Sequence, residues 1–164
     1  MTDITIRSAT PADVESAHAV EAAAFPAEFA ASRESVEKRI AAFSQGFFVA
    51  EVDGQIVGII NSGAWDSDSV GDAAFKGMDG HNSNGNHVVI FSVAVLPQYQ
   101  RRGIAAQLLH HFITAMGEAG KVSVLLICQP ELVPYYEQFG FVNRGESGNS
   151  HGGAHWYEMA LKLT

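Results

Sequence analysis

The chain is short of cysteine, of positive charge and of long apolar runs. A single cysteine, Cys128, stands among 164 residues. No disulfide can form within the chain, and this usage fits a reducing compartment. Lys and Arg number 10 against 18 Asp and Glu, giving a formal net charge of −8. Duplex binding needs a basic face to meet phosphates, so no nucleic acid partner is expected. An acidic surface suits a cationic small molecule such as an amine; its plainer reading is solubility. No apolar run is long enough to cross a bilayer. The polar start MTDITIRSAT reads as a strand rather than a secretory signal, so the expectation is a cytoplasmic protein with no membrane partner. A zinc-type ligand cluster is also missing. His110 and His111 are adjacent on a helix and point apart, while His151 and His155 lie in NSHGGAH, a glycine-broken loop. No metal is expected.

What the chain does have is 47% hydrophobic residues, ten of them Phe. That suits one domain, 1–164, with a sizeable core. ITIR (4–7) alternates as a first strand. TPADVESAHAVEAAAF opens with Thr10 and Pro11 as helix-start signals. SRESVEKRIAAF (32–43) is a second helix, capped by Ser32 or Ser35. FFVAEV (47–52) and QIVGIIN (55–61) flank Asp53-Gly54, a hairpin signal. Residues 62–86 are rich in Gly, Asp, Ser and Asn, as in lids, binding loops or disordered stretches. HVVIFSVAVL (87–96) and KVSVLLIC (121–128) read as strands buried on both faces. ELVPYYEQFGF (131–141) is a short helix closed by Gly140, and HWYEMALKL (155–163) is a last strand. The order β-α-α-β-β-β-α-β-α-β-β predicts a mixed α/β (α+β) sandwich around one twisted sheet, not a doubly wound dinucleotide fold.

LPQYQRRGIAAQLLHHF (96–112) carries the first chemical signal. Ile104, Leu108 and Phe112 fall on one helix face, with Ala105, Leu109, Ile113 and Met116 beside them. The helix start offers no Ser, Thr, Asp or Asn cap, only Gln100, Arg101, Arg102 and Gly103. A helix N-terminus holds up to four unpaired N–H groups and about half a positive charge. A phosphate would satisfy both, and so would water at an exposed helix start.

Q-x-x-G-x-A at 100–105, after SVAVLPQY, resembles the acyl-CoA pyrophosphate motif of the GCN5-related N-acetyltransferase (GNAT) superfamily. PYYEQFGF (134–141) resembles that family's segment with a tyrosine beneath the CoA sulfur. The strand pair 47–61 is a third match, and the three lie in the family's order. Within the family, FSVAVLPQYQRRGIAAQLL, ICQPELVPYYEQFGF, GAWD and EAAAFP are most similar to the arylalkylamine (serotonin) N-acetyltransferase-like branch.

The resemblance implies a sheet flanked by helices on both faces and splayed between its fourth and fifth strands. It implies acetyl-CoA as co-substrate, with acetyl passing directly to a small primary amine in a ternary complex. The backbone amides of Arg101, Arg102, Gly103, Ile104, Ala105 and Ala106 would hold the pyrophosphate. The main chain of Val93, Ala94 and Val95 would pair with the pantetheine, and the Val93 N–H would polarise the acetyl carbonyl. Tyr136 would contact the cofactor and protonate the leaving thiolate; Tyr135 reads as packing. The branch expects two proton-relaying histidines on the fourth strand, where this chain has Val89 and Phe91. His87 shares their strand face by the period of two; it is a candidate base or a polar strand start. Glu28, Asp66 and Glu131 are carboxylates that could meet a cationic acceptor, with Val89, Phe91 and Ile127 lining its channel. Cys128, at the end of a buried strand, reads as core, and Trp65 and Trp156 as packing. Two other readings stand: transfer to a protein N-terminus or lysine, and a non-catalytic acyl-CoA-binding sensor. A homodimer is one allowed assembly.

Overall fold

The structure is a computed structural model describing residues 3–27, 29–68, 78, 80–146 and 155–163. Its elements are β1 (Ile4–Ser8), α1 (Val14–Ala24), α2 (Arg33–Ala42), β2 (Phe48–Val52), β3 (Gln55–Trp65), β4 (His87–Val95), α3 (Ile104–Glu118), β5 (Ser123–Cys128), α4 (Val133–Glu137), β6 (Val142–Glu146) and β7 (Tyr157–Lys162). The mixed sheet runs β1-β2-β3-β4-β5-β7-β6. The chain forms two compact units. The first comprises Met1–Ser62 and Phe91–Ala115, the second Gly63–Ile90 and Met116–Thr164. Strands β3 and β4 pass from one unit into the other.

In the first unit, Ser32 caps α2 by accepting from the Ser35 N–H at 3.1 Å, as its position before a helical run dictates. The β2–β3 hairpin turns on Asp53 (φ 52°) and Gly54 (φ 79°). Two successive left-handed residues match the right-handed strand twist, which is why Asp-Gly is favoured there. Strand β2 is almost wholly apolar because both its faces are covered. Val49 packs with Val14, Ala17, Val20, Val36 and Ile40 of α1 and α2. Phe48, on the opposite face, meets His111 and Phe112 of α3 with ring centroids at 4.7 and 6.2 Å. Gly58 lies under Ile104 and Leu108, where an added Cβ would sit 3.1–3.2 Å from their side chains. Ile104, Leu108, Leu109, Phe112 and Met116 are buried, which is the α3 face expected from the 3.6-residue period.

In the second unit, β4 pairs in parallel with β5 from His87↔Ser123 to Val89↔Leu125. Strand β7 then pairs antiparallel with β5 along Ser123↔Lys162 to Cys128↔Tyr157. Lys121 is 6% exposed and donates its ammonium to the Ser83 and Gly85 carbonyls at 2.6 Å each, so its burial is matched by hydrogen bonds. Two elements depart from the sequence reading. β3 continues to Trp65, four residues past Asn61. The helix expected over 131–141 is a 3₁₀ turn at Pro130–Leu132 followed by the short α4. β6, a strand that the predicted order counts without bounds, is exposed along its length and has no apolar alternation to mark its ends. Among the described residues no helix is long and apolar enough to cross a membrane.

Candidate functional site

The residues named from the sequence fall into two sets, one in each unit. In the first unit the chain leaves β4 through the 3₁₀ turn Pro97–Tyr99 and enters α3 by way of Arg101 (φ 65°) and Gly103 (φ 81°). The Gln100 side chain, the nearest polar group to a cap, donates instead to the Val95 carbonyl at 3.0 Å. Arg102 lies over the Tyr99 ring, 5.2 Å from its centroid. Arg101, Arg102 and Gly103 are exposed, Ile104 is buried, and Ala105 and Ala106 are half-buried. An added Cβ at Gly103 would meet nothing within 4 Å. A left-handed turn with open space before a 15-residue helix is a surface that a phosphate can approach closely. Val93 is half-buried, and Ala94 and Val95 are buried.

The same unit contains a part-buried chain of polar groups. Arg39 Nη1 donates to Asn61 Oδ1 at 2.9 Å. Asn61 Nδ2 donates to Ser92 Oγ at 2.6 Å. Ser92 Oγ donates to Glu21 Oε1 at 2.7 Å, and Glu21 Oε2 accepts from the Ala31 N–H at 3.3 Å. Arg39 also lies over the Phe91 ring, 4.4 Å from its centroid. Glu21 and Asn61 are each 1% exposed. Burial raises the Glu21 carboxyl above its ordinary value, opposed by the Ser92 hydrogen bond and by Arg39. Burial lowers the Arg39 guanidinium, opposed by Glu21.

In the second unit Tyr136 follows Pro134 on α4. Its carbonyl accepts from the Phe139 and Phe141 N–H groups at 3.0 and 3.3 Å, so the turn through Gly140 (φ 97°) closes on it. Its ring meets Tyr135 and Phe141 with centroids at 5.3 and 5.8 Å. Burial pushes the Tyr136 phenol far up, with smaller contributions from Cys128 and Tyr135. It therefore stays protonated at neutral pH, the state a proton donor needs. The Cys128 thiol is also pushed up, to about 11, by burial and then by Glu131. That is opposite to what a nucleophilic thiolate requires.

His87, half-buried at the start of β4, shares a hydrogen bond of 2.7 Å between Nδ1 and Ser123 Oγ. Val89 packs with Leu125, and Ile127, Trp65 and Ala160 pack against that pair. This brings Val89 and Ile127 together. Asp66 is exposed and accepts from Asn82 at 3.2 Å; Glu131 is exposed. Glu28 lies outside the described residues, as does His151. His155 pairs with Glu146 at 2.8 Å. Among the described residues no three His, Cys, Asp or Glu gather as a metal site would require.

The sequence reading missed Glu21, Asn61, Ser92 and Arg39. Glu21 did carry a signal. It falls on the buried stripe of α1 with Val14 and Ala17, spaced i, i+3, i+7, where an apolar residue belongs.

Residues 11–163 match the family model of the acetyltransferase (GNAT) domain. The serotonin N-acetyltransferase of Mesocricetus auratus is 25% identical over 112 residues, covering 68% of this chain and 53% of that protein. The chain thus spans about half the length of that curated relative. The loading GNATL domain of CurA from Lyngbya majuscula matches with a TM-score of 0.89 at 16% identity, covering 98% of both chains. The GphF GNAT-like decarboxylase, solved with isobutyryl-CoA, matches with a TM-score of 0.83 at 18% identity, covering 98% of this chain and all of that one. At such identities these two likenesses bear on the fold alone. The family match covers nearly the whole chain, and the chain belongs to the GNAT acetyltransferase domain family.

Proposed function

We propose that the chain transfers an acetyl group from acetyl-CoA to a small primary amine, directly and within a ternary complex. The observation that carries the reading is the α3 entrance. An exposed arginine pair and Gly103, with open space above it, precede a long helix in a chain of this family. Backbone amides of Arg101 to Ala106 take the pyrophosphate, and the helix end supplies the complementary partial charge. The main chain of Val93, Ala94 and Val95 takes the pantetheine, with the Val93 N–H at the acetyl oxygen.

Acetyl transfer needs a neutral amine, a polarised carbonyl and a proton for the departing thiolate. The amine nitrogen bonds to the acetyl carbon as the C–S bond breaks. Tyr136 gives its phenolic proton to the sulfur and is reprotonated from solvent; its raised pKa keeps that proton in place until the thiolate forms. His87 is the proton acceptor suggested by its strand face. A second reading rests on the 2.7 Å bond between Ser92 and Glu21. There the Ser92 hydroxyl takes the amine proton and passes its own to Glu21, whose raised pKa suits it to accept one.

The arylalkylamine branch is the acceptor class proposed, supported by the relative from Mesocricetus auratus and by the net charge of −8. Asp66, Glu28, Phe91, Val89 and Ile127 are the proposed acceptor-side residues. The test is thiol release from acetyl-CoA against arylalkylamines, polyamines and peptides, with Tyr136→Phe as control. Turnover on one amine class, lost in Tyr136→Phe, supports the reading. Turnover on peptides alone moves the acceptor to a protein. Acetyl-CoA binding without turnover on the panel makes the chain a sensor, and no binding removes the reading altogether.

A further inference from the structure

Arg39 is built into the first unit in an unfinished way. Its helix buries Val36 and Ile40, and Arg39 follows them inward. Asn61 takes one of its N–H groups, and the face of Phe91 lies beneath its guanidinium. Nε is buried and has no hydrogen-bond partner among the described residues. The obvious countercharge, Glu21, is engaged elsewhere: Oε1 accepts from Ser92 and Oε2 from the Ala31 N–H. Asn61 is engaged at both ends, its oxygen with Arg39 and its nitrogen with Ser92. Among the described residues the chain of hydrogen bonds is closed at the Glu21 end and open at the Arg39 end.

A buried polar group without a partner is costly, and a buried cation more so. A guanidinium presents five N–H donors in a planar fork that fits a carboxylate two bonds at a time. Stacking on an aromatic face leaves that fork's edge available for such in-plane bonds.

We propose that Arg39 recognises a carboxylate on the substrate. The inference rests on the proposed function, which puts Phe91, and hence the guanidinium over it, beside the acceptor amine. Charge balance favours the acceptor as the source. Arg39 and Glu21 bring one positive and one negative charge to the chain of bonds. An amino acid brings an ammonium and a carboxylate, which match them in the opposite sense. A lone carboxylate on the acyl group would leave one buried negative charge in excess. Within the small primary amines proposed above, the acceptor class narrows to those that also carry a carboxylate, aromatic amino acids among them.

The test compares amino acids with their own carboxamides, which have the same shape and no carboxylate charge. With acetyl-CoA, the wild-type chain is expected to favour the acid over the amide by about tenfold or more in kcat/KM. Arg39→Gln should bring that ratio close to one by lowering the acid's value, leaving the amide within about threefold. Arg39→Lys should keep part of the preference, since a point charge remains without the fork. An unchanged ratio in Arg39→Gln, or a wild-type preference for the amide, overturns the proposal. A parallel arm offers an uncharged amine with succinyl-CoA or butyryl-CoA. An Arg39-dependent preference for succinyl-CoA there, without one for amino acids, assigns the carboxylate to the acyl group and overturns the acceptor as its source. Calorimetric titration with phenylacetate separates this inference from the one beneath it. Arg39-dependent binding without any acyl transfer leaves the carboxylate site standing and removes the transferase reading. Transfer with neither carboxylate preference nor phenylacetate binding does the reverse. If Arg39→Gln does not give the wild-type circular dichroism spectrum, Arg39→Lys carries the comparison.

Discussion

Ser92 Oγ lies 2.7 Å from Glu21 Oε1, joining β4 to α1 across 71 positions of the chain. The bond places a carboxyl, raised by burial, behind a half-buried hydroxyl on the strand that also carries Val93. If this pair accepts the amine proton, Glu21→Gln and Ser92→Ala should each lower kcat by about 10²-fold. The sign of the pH effect follows from the direction of the shift. The ionised carboxylate is the working form, so wild-type activity rises as pH climbs through a value above the usual carboxylate range. Glu21→Gln should abolish that limb, while His87→Gln leaves it in place. Loss of the limb in His87→Gln alone would make His87 the base. The pH dependence of kcat for the wild type and both variants decides between them.

The reach of sequence reasoning differs between elements. The Asp53-Gly54 turn and the Ser32 cap are local devices, set by left-handed backbone and by one side chain meeting a nearby N–H. Both were therefore legible from a few residues. The α3 stripe was legible because its period is long and regular. The chain from Arg39 through Asn61 and Ser92 to Glu21 was not. Each member comes from a different element, α2, β3, β4 or α1, and no spacing links them. The bounds of β6 escaped for another reason: a strand exposed along its length has no buried face to impose alternation. The site at 100–105 and Tyr136 rested on motif likeness, since local patterning alone left a phosphate and water equally able to meet the α3 entrance.

Tyr136→Phe removes one hydroxyl and leaves the ring that packs on Tyr135 and Phe141. Its cost should therefore fall on chemistry rather than on folding. The expected result is a fall in kcat of about 10²-fold, with KM for acetyl-CoA within about threefold and an unchanged melting temperature. A kcat equal to that of the wild type would show that the thiolate leaves without this proton. Steady-state kinetics beside a thermal melt reads both quantities.

Asp13 is held by Arg7, which donates to it at 2.7 and 3.0 Å, and by the Thr10 N–H at 2.7 Å. The Arg7 hydrogen bond is the main cause holding its carboxyl below the ordinary 3.8. A lowered folded pKa gives stability that is complete above the unfolded value and is lost as pH falls through the folded one. Asp13→Asn should therefore destabilise the protein at pH 7 and do so less at a pH well below the ordinary 3.8, where the carboxyl protonates in the folded state too. Arg7 is partly exposed, so the cost at neutral pH is on the order of 1 kcal/mol. Urea melts at both pH values, for both proteins, measure it. An equal gap at the two values would exclude the ion pair as its source.

Gly46 and Gly103 should respond to alanine in opposite ways. A Cβ at Gly46 would lie 2.3 Å from a Phe43 ring carbon and 2.4 Å from Ser62 Oγ. Phe43 is fully buried, and Ser62 is tied to the Gly46 carbonyl at 2.8 Å. Neither can move aside freely, so Gly46→Ala should cost about 1–3 kcal/mol by overpacking and lower the melting temperature. At Gly103 the added methyl meets nothing within 4 Å. Its cost to folding is the left-handed φ of 81°, about 1–2 kcal/mol. The open space above Gly103 is where the proposed pyrophosphate must approach the backbone. Gly103→Ala should therefore raise KM for acetyl-CoA by about tenfold, roughly one lost contact of 1.4 kcal/mol, while kcat at saturation holds. Gly46→Ala should leave that KM unchanged in the molecules that stay folded. Measuring KM at a temperature well below both melts separates binding from folding. Equal KM values for the two variants and the wild type would mean that the cofactor does not lie against Gly103.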